Sequence, residues 1–143
     1  MANIIRDIQK DIQSLHALSR GRLLVITGAR QVGKTTLAKM AFPEYPLVSL
    51  DSPTERTVYS DLTPADWLTR FPSAILDEIQ KMPPLMETIK ACYDRSDNSK
   101  YILLGSSQIL LMKRIGETLA GRAAIREIFP FSIPELLRLR YEI

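Results

Sequence analysis

The sequence predicts an α/β chain built on a parallel sheet with helices over both faces. Three observations carry this. The continuous apolar run at 23–26 is of the kind that strands buried on both sides show, and further short strand candidates recur at 47–50, 74–76, 101–104 and 123–129. Segments of helical period separate them. Nine prolines and six glycines punctuate the junctions, which favours many short elements over a few long helices.

The elements follow in order. Ile4, Ile5, Ile8, Ile12, Leu15 and Leu18 fall at helical spacing, so an amphipathic helix is expected over 4–18, stopped at Arg20-Gly21. The run 23–26 is the first strand and leads through a glycine-bearing loop into a helix that Phe42-Pro43 closes. The run 47–50 is a second strand, broken by Pro53. Thr63-Pro64-Ala65-Asp66 starts a helix, with a capping hydroxyl, proline at the first helical position and an acid three residues on; Pro72 ends it. A third strand at 74–76 runs into Asp77-Glu78. Pro83-Pro84 opens a helix to about Tyr93, and a polar loop leads to the fourth strand at 101–104. A helix over 108–119 stops at Gly121, a fifth strand covers 123–129, and Ser132-Ile133-Pro134-Glu135 caps a last helix still running at Ile143. We expect an amino-terminal helix at 1–20 packed on a core at 21–143, with no internal repeat.

Composition narrows the class. A chain of 143 residues, 45% hydrophobic and 24% charged, has the length of one domain and enough apolar side chains for a core, so disorder, collagen and coiled coil fit poorly. Its net charge of +3 is spread along the chain rather than clustered, so it does not argue for nucleic acid, which rests on fold-level analogy alone. The single Cys92 allows no internal disulfide, no apolar run reaches the ~18 residues of a membrane span, and charges interrupt the amino terminus where a signal peptide needs apolar residues. A cytoplasmic protein without membrane contact is expected. His16 has no second ligand at metal-binding spacing, Trp67 and Cys92 read as packing residues, and no Ser-His-Asp arrangement stands out.

The loop between the first strand and its helix carries the chemistry. Gly28-x-x-x-x-Gly33-Lys34-Thr35 is the phosphate-binding P-loop pattern in the context it requires. The glycines let the backbone wrap a phosphate, and the new helix presents unpaired N–H groups and a positive dipole end. Gly28, Ala29, Arg30, Gln31, Val32, Gly33, Lys34, Thr35 and Thr36 therefore form the candidate nucleotide cradle. Lys34 brings charge to the outer phosphates and the Thr35 hydroxyl suits Mg²⁺, while Arg30 carries no catalytic expectation.

Asp77, ending an apolar strand, suits a carboxylate that holds Mg²⁺ opposite Thr35. Glu78 suits a base that orients and polarises the attacking water; a strand-end turn acid is the other reading of Asp77, and a solvated loop residue that of Glu78. Ser106-Ser107-Gln108 ends the fourth strand at the edge where ligands sit in open parallel sheets. Ser107 is a candidate for touching the γ-phosphate; Ser106 or Ser107 as a helix N-cap is the competing reading.

Taken together, Gly-Ala-Arg-Gln-Val-Gly-Lys-Thr-Thr at 28–36, Leu-Asp at 50–51, Leu-Asp-Glu-Ile-Gln at 76–80, Leu-Gly-Ser-Ser at 104–107, Leu-Ala-Gly-Arg at 119–122 and Phe-Pro-Phe-Ser at 129–132 resemble the AAA-type P-loop ATPases of bacteria and archaea, over about residues 20–140. The resemblance implies a three-layer P-loop fold with a five-stranded sheet in the order 5-1-4-3-2, and ATP with Mg²⁺ as ligands. It also implies a carboxyl-terminal domain after the core, which a chain ending at Ile143 is expected to lack. That domain or a partner protein is the expected partner besides ATP. In the same block Arg122 resembles an arginine at the nucleotide edge, reaching the γ-phosphate in cis or across a subunit interface and joining Glu78 and Lys34 as a catalytic candidate. A surface arginine paired with Glu117 or Glu127 is its other reading.

The reaction expected is Mg²⁺-dependent ATP hydrolysis. One alternative is a nucleotide-dependent binding or switch module with little hydrolysis. A small-molecule or nucleoside kinase is a third reading; it needs an arginine-rich lid, which the sequence lacks, and a P-loop strand adjacent to the acidic strand.

Overall fold

The computed structural model describes residues 2–28, 33–106 and 109–128. In chain order the elements are α1 (Ala2–Ala17), β1 (Leu23–Gly28), α2 (Lys34–Ala41), β2 (Leu47–Ser49), α3 (Pro53–Ser60), α4 (Pro64–Arg70), β3 (Ser73–Asp77), α5 (Pro84–Arg95), β4 (Lys100–Ser106), α6 (Ile109–Thr118) and β5 (Ala123–Ile128). Single 3₁₀ turns at Ser19–Gly21 and Ile79–Lys81 precede β1 and follow β3. The last helix expected from the sequence, after residue 128, lies outside the described residues.

All five strands are parallel, in the order β2-β3-β4-β1-β5, which is the expected 5-1-4-3-2 read from the other edge. Inserting β4 between β1 and β3 separates the P-loop strand from the acidic strand, which is not the strand order of the kinase reading. Alternation along the strands divides the core between the two faces. Leu23 and Val25 join Trp67, Leu76, Leu85, Ile89, Leu103 and Ile115 under α4, α5 and α6. Leu24 and Ile26 join Ile12, Leu15, Leu37, Ala38, Ile75 and Ile102 under α1 and α2. Every residue of β1 is buried, which explains why its sequence shows an apolar run rather than a half-polar alternation.

Local chemistry sets the boundaries. Thr63 caps α4 reciprocally: its Oγ1 accepts from Asp66 N at 3.2 Å, and its own N–H donates to Asp66 Oδ2 at 3.0 Å. Pro53 does more than break β2. It sits at the first position of α3, where proline's fixed φ suits helix entry and its missing N–H leaves no bond unmade. That helix has no buried residue and leaves Val58 exposed, so it carries no apolar stripe for the sequence to show. The Ser19–Gly21 turn lies so close to α1 that a Cβ on Gly21 would stand 1.9 Å from the Leu15 carbonyl oxygen.

His16 is buried beneath that turn. Its Nδ1 is 2.9 Å from Gly21 O and its Nε2 2.8 Å from Tyr45 Oη, with Phe42 and Tyr45 edge-on to the ring. Arg22 clamps the end of α5, donating to the carbonyls of Tyr93, Ser96 and Ser99 while lying 3.9 Å from the centre of the Tyr93 ring. Cys92 is buried in the core, its Sγ 3.5 Å from Pro64 O. Among the described residues no helix is long and apolar enough to cross a membrane.

Candidate functional site

Because the strands are parallel, their carboxyl ends share one edge of the sheet. Gly28 ends β1 there, opposite Ser106 of β4, and Asp77 ends β3. Open parallel sheets bind ligands at this edge, where loops leave the strands and helices begin.

Gly33 stands immediately before α2 with φ 80° and ψ 30°, the left-handed conformation that glycine adopts without steric penalty. It turns the chain so that α2 starts at Lys34 with its amino end on the sheet edge, an arrangement suited to an anion. Lys34 is 8% exposed, and its ammonium donates to Gly28 O at 2.9 Å, folding the side chain back over the end of β1. Burial lowers its pKa below the usual lysine value, and the charges of Glu78 and then Asp77 oppose that shift. Both carboxylates are therefore felt at the ammonium.

The next residue makes the link to β3. Thr35 Oγ1 donates to Asp77 Oδ2 at 2.9 Å. A hydroxyl and a carboxylate are hard oxygen donors of the kind Mg²⁺ accepts, usually alongside phosphate oxygens and water. Among the described residues no cluster of three or more His, Cys, Asp or Glu side chains forms a closed metal cage.

Glu78 follows Asp77 at φ 60° and ψ 45°, the one non-glycine residue with positive φ among the described residues. Its carbonyl accepts from Lys81 N at 3.0 Å, closing the 3₁₀ turn, and Ile79 is fully buried beneath. Gln80 Nε2 donates to Glu78 Oε2 at 2.5 Å. Lys81 pairs with Asp51, tying the same turn to the end of β2.

The structure thus brings Gly28, Gly33, Lys34, Thr35, Asp77 and Glu78 to one edge, with Thr36 exposed on the first turn of α2. Ala29, Arg30, Gln31, Val32 and Ser107 lie outside the described residues. Arg122 requires a correction. It immediately precedes β5, whose first residue aligns with Leu23, so it stands at the amino-terminal edge of the sheet. Five residues of strand, about 17 Å at ~3.3 Å each, separate that edge from Gly28. There Arg122 makes a two-pronged bond to Asp94, Nε to Oδ1 at 2.9 Å and Nη2 to Oδ2 at 3.0 Å. Its partner is neither Glu117 nor Glu127, and it does not reach the site of its own chain. Sequence reasoning assigned no role to Gln80, whose contact with Glu78 depends on the left-handed turn at Glu78.

Comparison with known proteins agrees with this architecture. A family model described as "AAA domain" matches residues 20–137. An uncharacterized protein of Mycobacterium tuberculosis and another of Mycobacterium bovis are each 30% identical over 124 residues, covering 84% of this chain and 28% of their own length. The chain therefore spans just over a quarter of the curated relatives it matches. Among solved structures, a Walker-type ATPase of Pyrococcus abyssi has a TM-score of 0.67 at 18% identity, covering 96% of this chain and 57% of that one. The DnaC helicase loader has a TM-score of 0.52 at 14% identity, with coverage of 82% and 86%. These structural likenesses show a shared fold. With the family match over residues 20–137, the chain belongs to the AAA-type P-loop ATPase family.

Proposed function

We propose that this chain binds ATP with Mg²⁺ at the carboxyl edge of β1, β3 and β4 and hydrolyses the β–γ phosphoanhydride bond. The observation that carries this reading is the Thr35–Asp77 hydrogen bond beside the buried ammonium of Lys34. It gathers a hydroxyl, a carboxylate and a cation at the amino end of a helix, the set that phosphoryl transfer requires.

The amides of the Gly33 turn and of α2 hold the phosphates, and Lys34 places its charge against the outer ones. Thr35 and Asp77 would hold Mg²⁺, whose contribution when bound is to neutralise charge on the β- and γ-phosphates. Glu78 accepts a hydrogen bond from the attacking water and aims the water oxygen at the γ-phosphorus. As that O–P bond forms, the bond to the β–γ bridging oxygen breaks, and ADP departs with the electron pair. Glu78 takes the proton the water gives up.

A phosphate-release assay on the intact chain tests the reading. Turnover is expected to fall by about 100-fold or more in Lys34→Ala and Glu78→Gln. Turnover equal to the parent in both variants overturns it.

The position of Arg122 favours a second reading, a nucleotide-dependent switch that holds ATP and hydrolyses it slowly until a partner supplies the missing cation. ATP binding without phosphate release, with release restored by a partner polypeptide, separates it from the first. In either case we place the recipient of the nucleotide signal in a carboxyl-terminal domain or a partner protein. The lone thiol of Cys92 supports a cytoplasmic setting.

A further inference from the structure

The loop that carries Glu78 holds a second polar side chain with no role in the scheme above. Gln80 Nε2 donates to Glu78 Oε2 at 2.5 Å, while Gln80 Oε1 is buried with no hydrogen-bond partner among the described residues. These two facts explain each other. Turning the amide over would set its oxygen against a carboxylate oxygen, acceptor facing acceptor. The charged bond to Glu78 therefore dictates which end of the amide faces which way, and the carbonyl is left unsatisfied as a result.

The surrounding backbone leaves this bond something to control. Glu78 is fixed by its left-handed turn and by the Lys81 N–H on its carbonyl, and Ile79 anchors the next residue in the core. Met82 N closes on Ile79 O at 3.1 Å, and Lys81 ties the turn to Asp51. Both ends of the Glu78–Gln80 pair thus spring from an immobilised turn. What stays free is rotation about the three side-chain bonds of Glu78, and one charge-assisted hydrogen bond to Oε2 restricts it.

We propose that Gln80 is the positioning residue for Glu78: its amide holds Oε2, so that Oε1 is the oxygen presented to the attacking water. This role rests on the hydrolytic reading above. The electrostatic influence of Glu78 at the Lys34 ammonium agrees with a carboxylate held on the phosphate side of the turn.

The test uses the full chain and two variants. Gln80→Leu keeps the volume and removes the donor; Gln80→Glu removes the donor and adds a like charge. Turnover, KM for ATP, affinity for a non-hydrolysable ATP analogue and thermal midpoint are measured together. We expect kcat to fall about 10- to 100-fold in both, the range for misplacing a reacting group, with KM and analogue affinity within threefold. The Gln80→Leu midpoint should not fall, because the unpaired carbonyl disappears with the donor. A kcat within twofold of the parent overturns the proposal. So does a fall in kcat that comes with loss of analogue binding or of folding, which marks a structural residue.

A second readout is independent of turnover. The side-chain amide resonance of Gln80 should move and exchange faster with solvent in Glu78→Ala than in the parent. An amide that does not respond overturns the contact itself. A parent chain with no turnover overturns the hydrolytic reading and this role with it, and a responsive amide then distinguishes that failure from failure of the contact.

Discussion

Thr35 Oγ1 donates to Asp77 Oδ2 at 2.9 Å, joining residues 42 apart in sequence at the edge where α2 begins and β3 ends. The contact exists because β3 and β1 run parallel with β4 between them, so both deliver their carboxyl ends to one edge. The hydroxyl and the carboxylate are thus held side by side, as a shared role toward one cation requires. Asp77→Asn keeps an acceptor for Thr35 and removes the charge. Nucleotide binding in this variant should need about tenfold more Mg²⁺ for half-saturation, within the range that ligand-shell changes produce. Titrating a fluorescent ATP analogue at stepped Mg²⁺ concentrations measures it. An unchanged Mg²⁺ requirement counts against Asp77 as a metal-holding group.

Glu78 occupies a backbone conformation that suits glycine better. A side chain at φ 60° costs about 1–2 kcal/mol, whereas glycine meets no such cost and loses roughly 0.5–1 kcal/mol through its freer unfolded chain. Glu78→Gly and Glu78→Ala both lose the Gln80 hydrogen bond, so Glu78→Gly should be more stable than Glu78→Ala by about 0.5–1 kcal/mol, a midpoint higher by about 1–4 °C, while abolishing phosphate release. Glu78→Ala should abolish release at the lower midpoint, because alanine keeps the unfavourable φ. Matched thermal scans and release assays decide it. Equal midpoints for the two variants would show that the turn stores no such strain.

His16 gives the stability a pH dependence. A carbonyl can only accept, so the contact with Gly21 O assigns the proton to Nδ1, and Nε2 accepts from the Tyr45 hydroxyl. Burial lowers the pKa below 6.5, outweighing the Gly21 hydrogen bond. The folded state therefore binds fewer protons than the unfolded one across this window. Its contribution is complete above about pH 6.5 and is lost as pH falls from there toward the lower folded value. Urea unfolding between pH 8 and pH 5.5 should show stability declining below pH 6.5. Because His16 is the one histidine of the chain, His16→Gln should flatten that slope. An identical slope in the variant would assign the dependence to carboxylates instead.

How much of this was legible in the sequence differs from residue to residue. Strand β1 could be read because a strand buried on both faces has no polar alternation, and the cap at Thr63 because its partner is only three residues away. The P-loop lysine and threonine could be read from their fixed spacing after Gly28, and the acidic pair from its place at the end of an apolar strand. Helix α3 was hidden because it has no fully buried residue and packs on the core through Tyr59 alone, and Arg22 because its partners lie more than 70 residues away. Arg122 was open between a nucleotide-edge arginine, in cis or across a subunit interface, and a surface arginine, and the fold removes only the reach in cis. A residue that precedes a parallel strand stands at the amino-terminal edge, and the strand had been read as starting at Ala123. Gln80 was missed because its contact depends on the left-handed φ of Glu78, which nothing in the residue types announces.

Gly21 offers a sharp test of how closely α1 is docked. A methyl group there would lie 1.9 Å from Leu15 O, 2.6 Å from Leu15 C and 3.3 Å from His16 N, all backbone atoms that cannot rotate away. Relief requires moving the Ser19–Gly21 turn off the end of α1, which also draws Gly21 O away from His16 Nδ1. Gly21→Ala should therefore destabilise by about 2–4 kcal/mol, from overpacking together with a weakened buried hydrogen bond. The thermal midpoint should drop by about 5–10 °C. Gly116 is the internal control: it lies within α6, and a Cβ there meets nothing within 4 Å. Gly116→Ala should stabilise by about 0.5–1 kcal/mol, because alanine loses less conformational freedom in a helix. Opposite shifts for the same chemical change would attribute the loss at Gly21 to close approach rather than to the added methyl. A Gly21→Ala midpoint equal to that of the parent would mean that the turn can leave α1 at little cost.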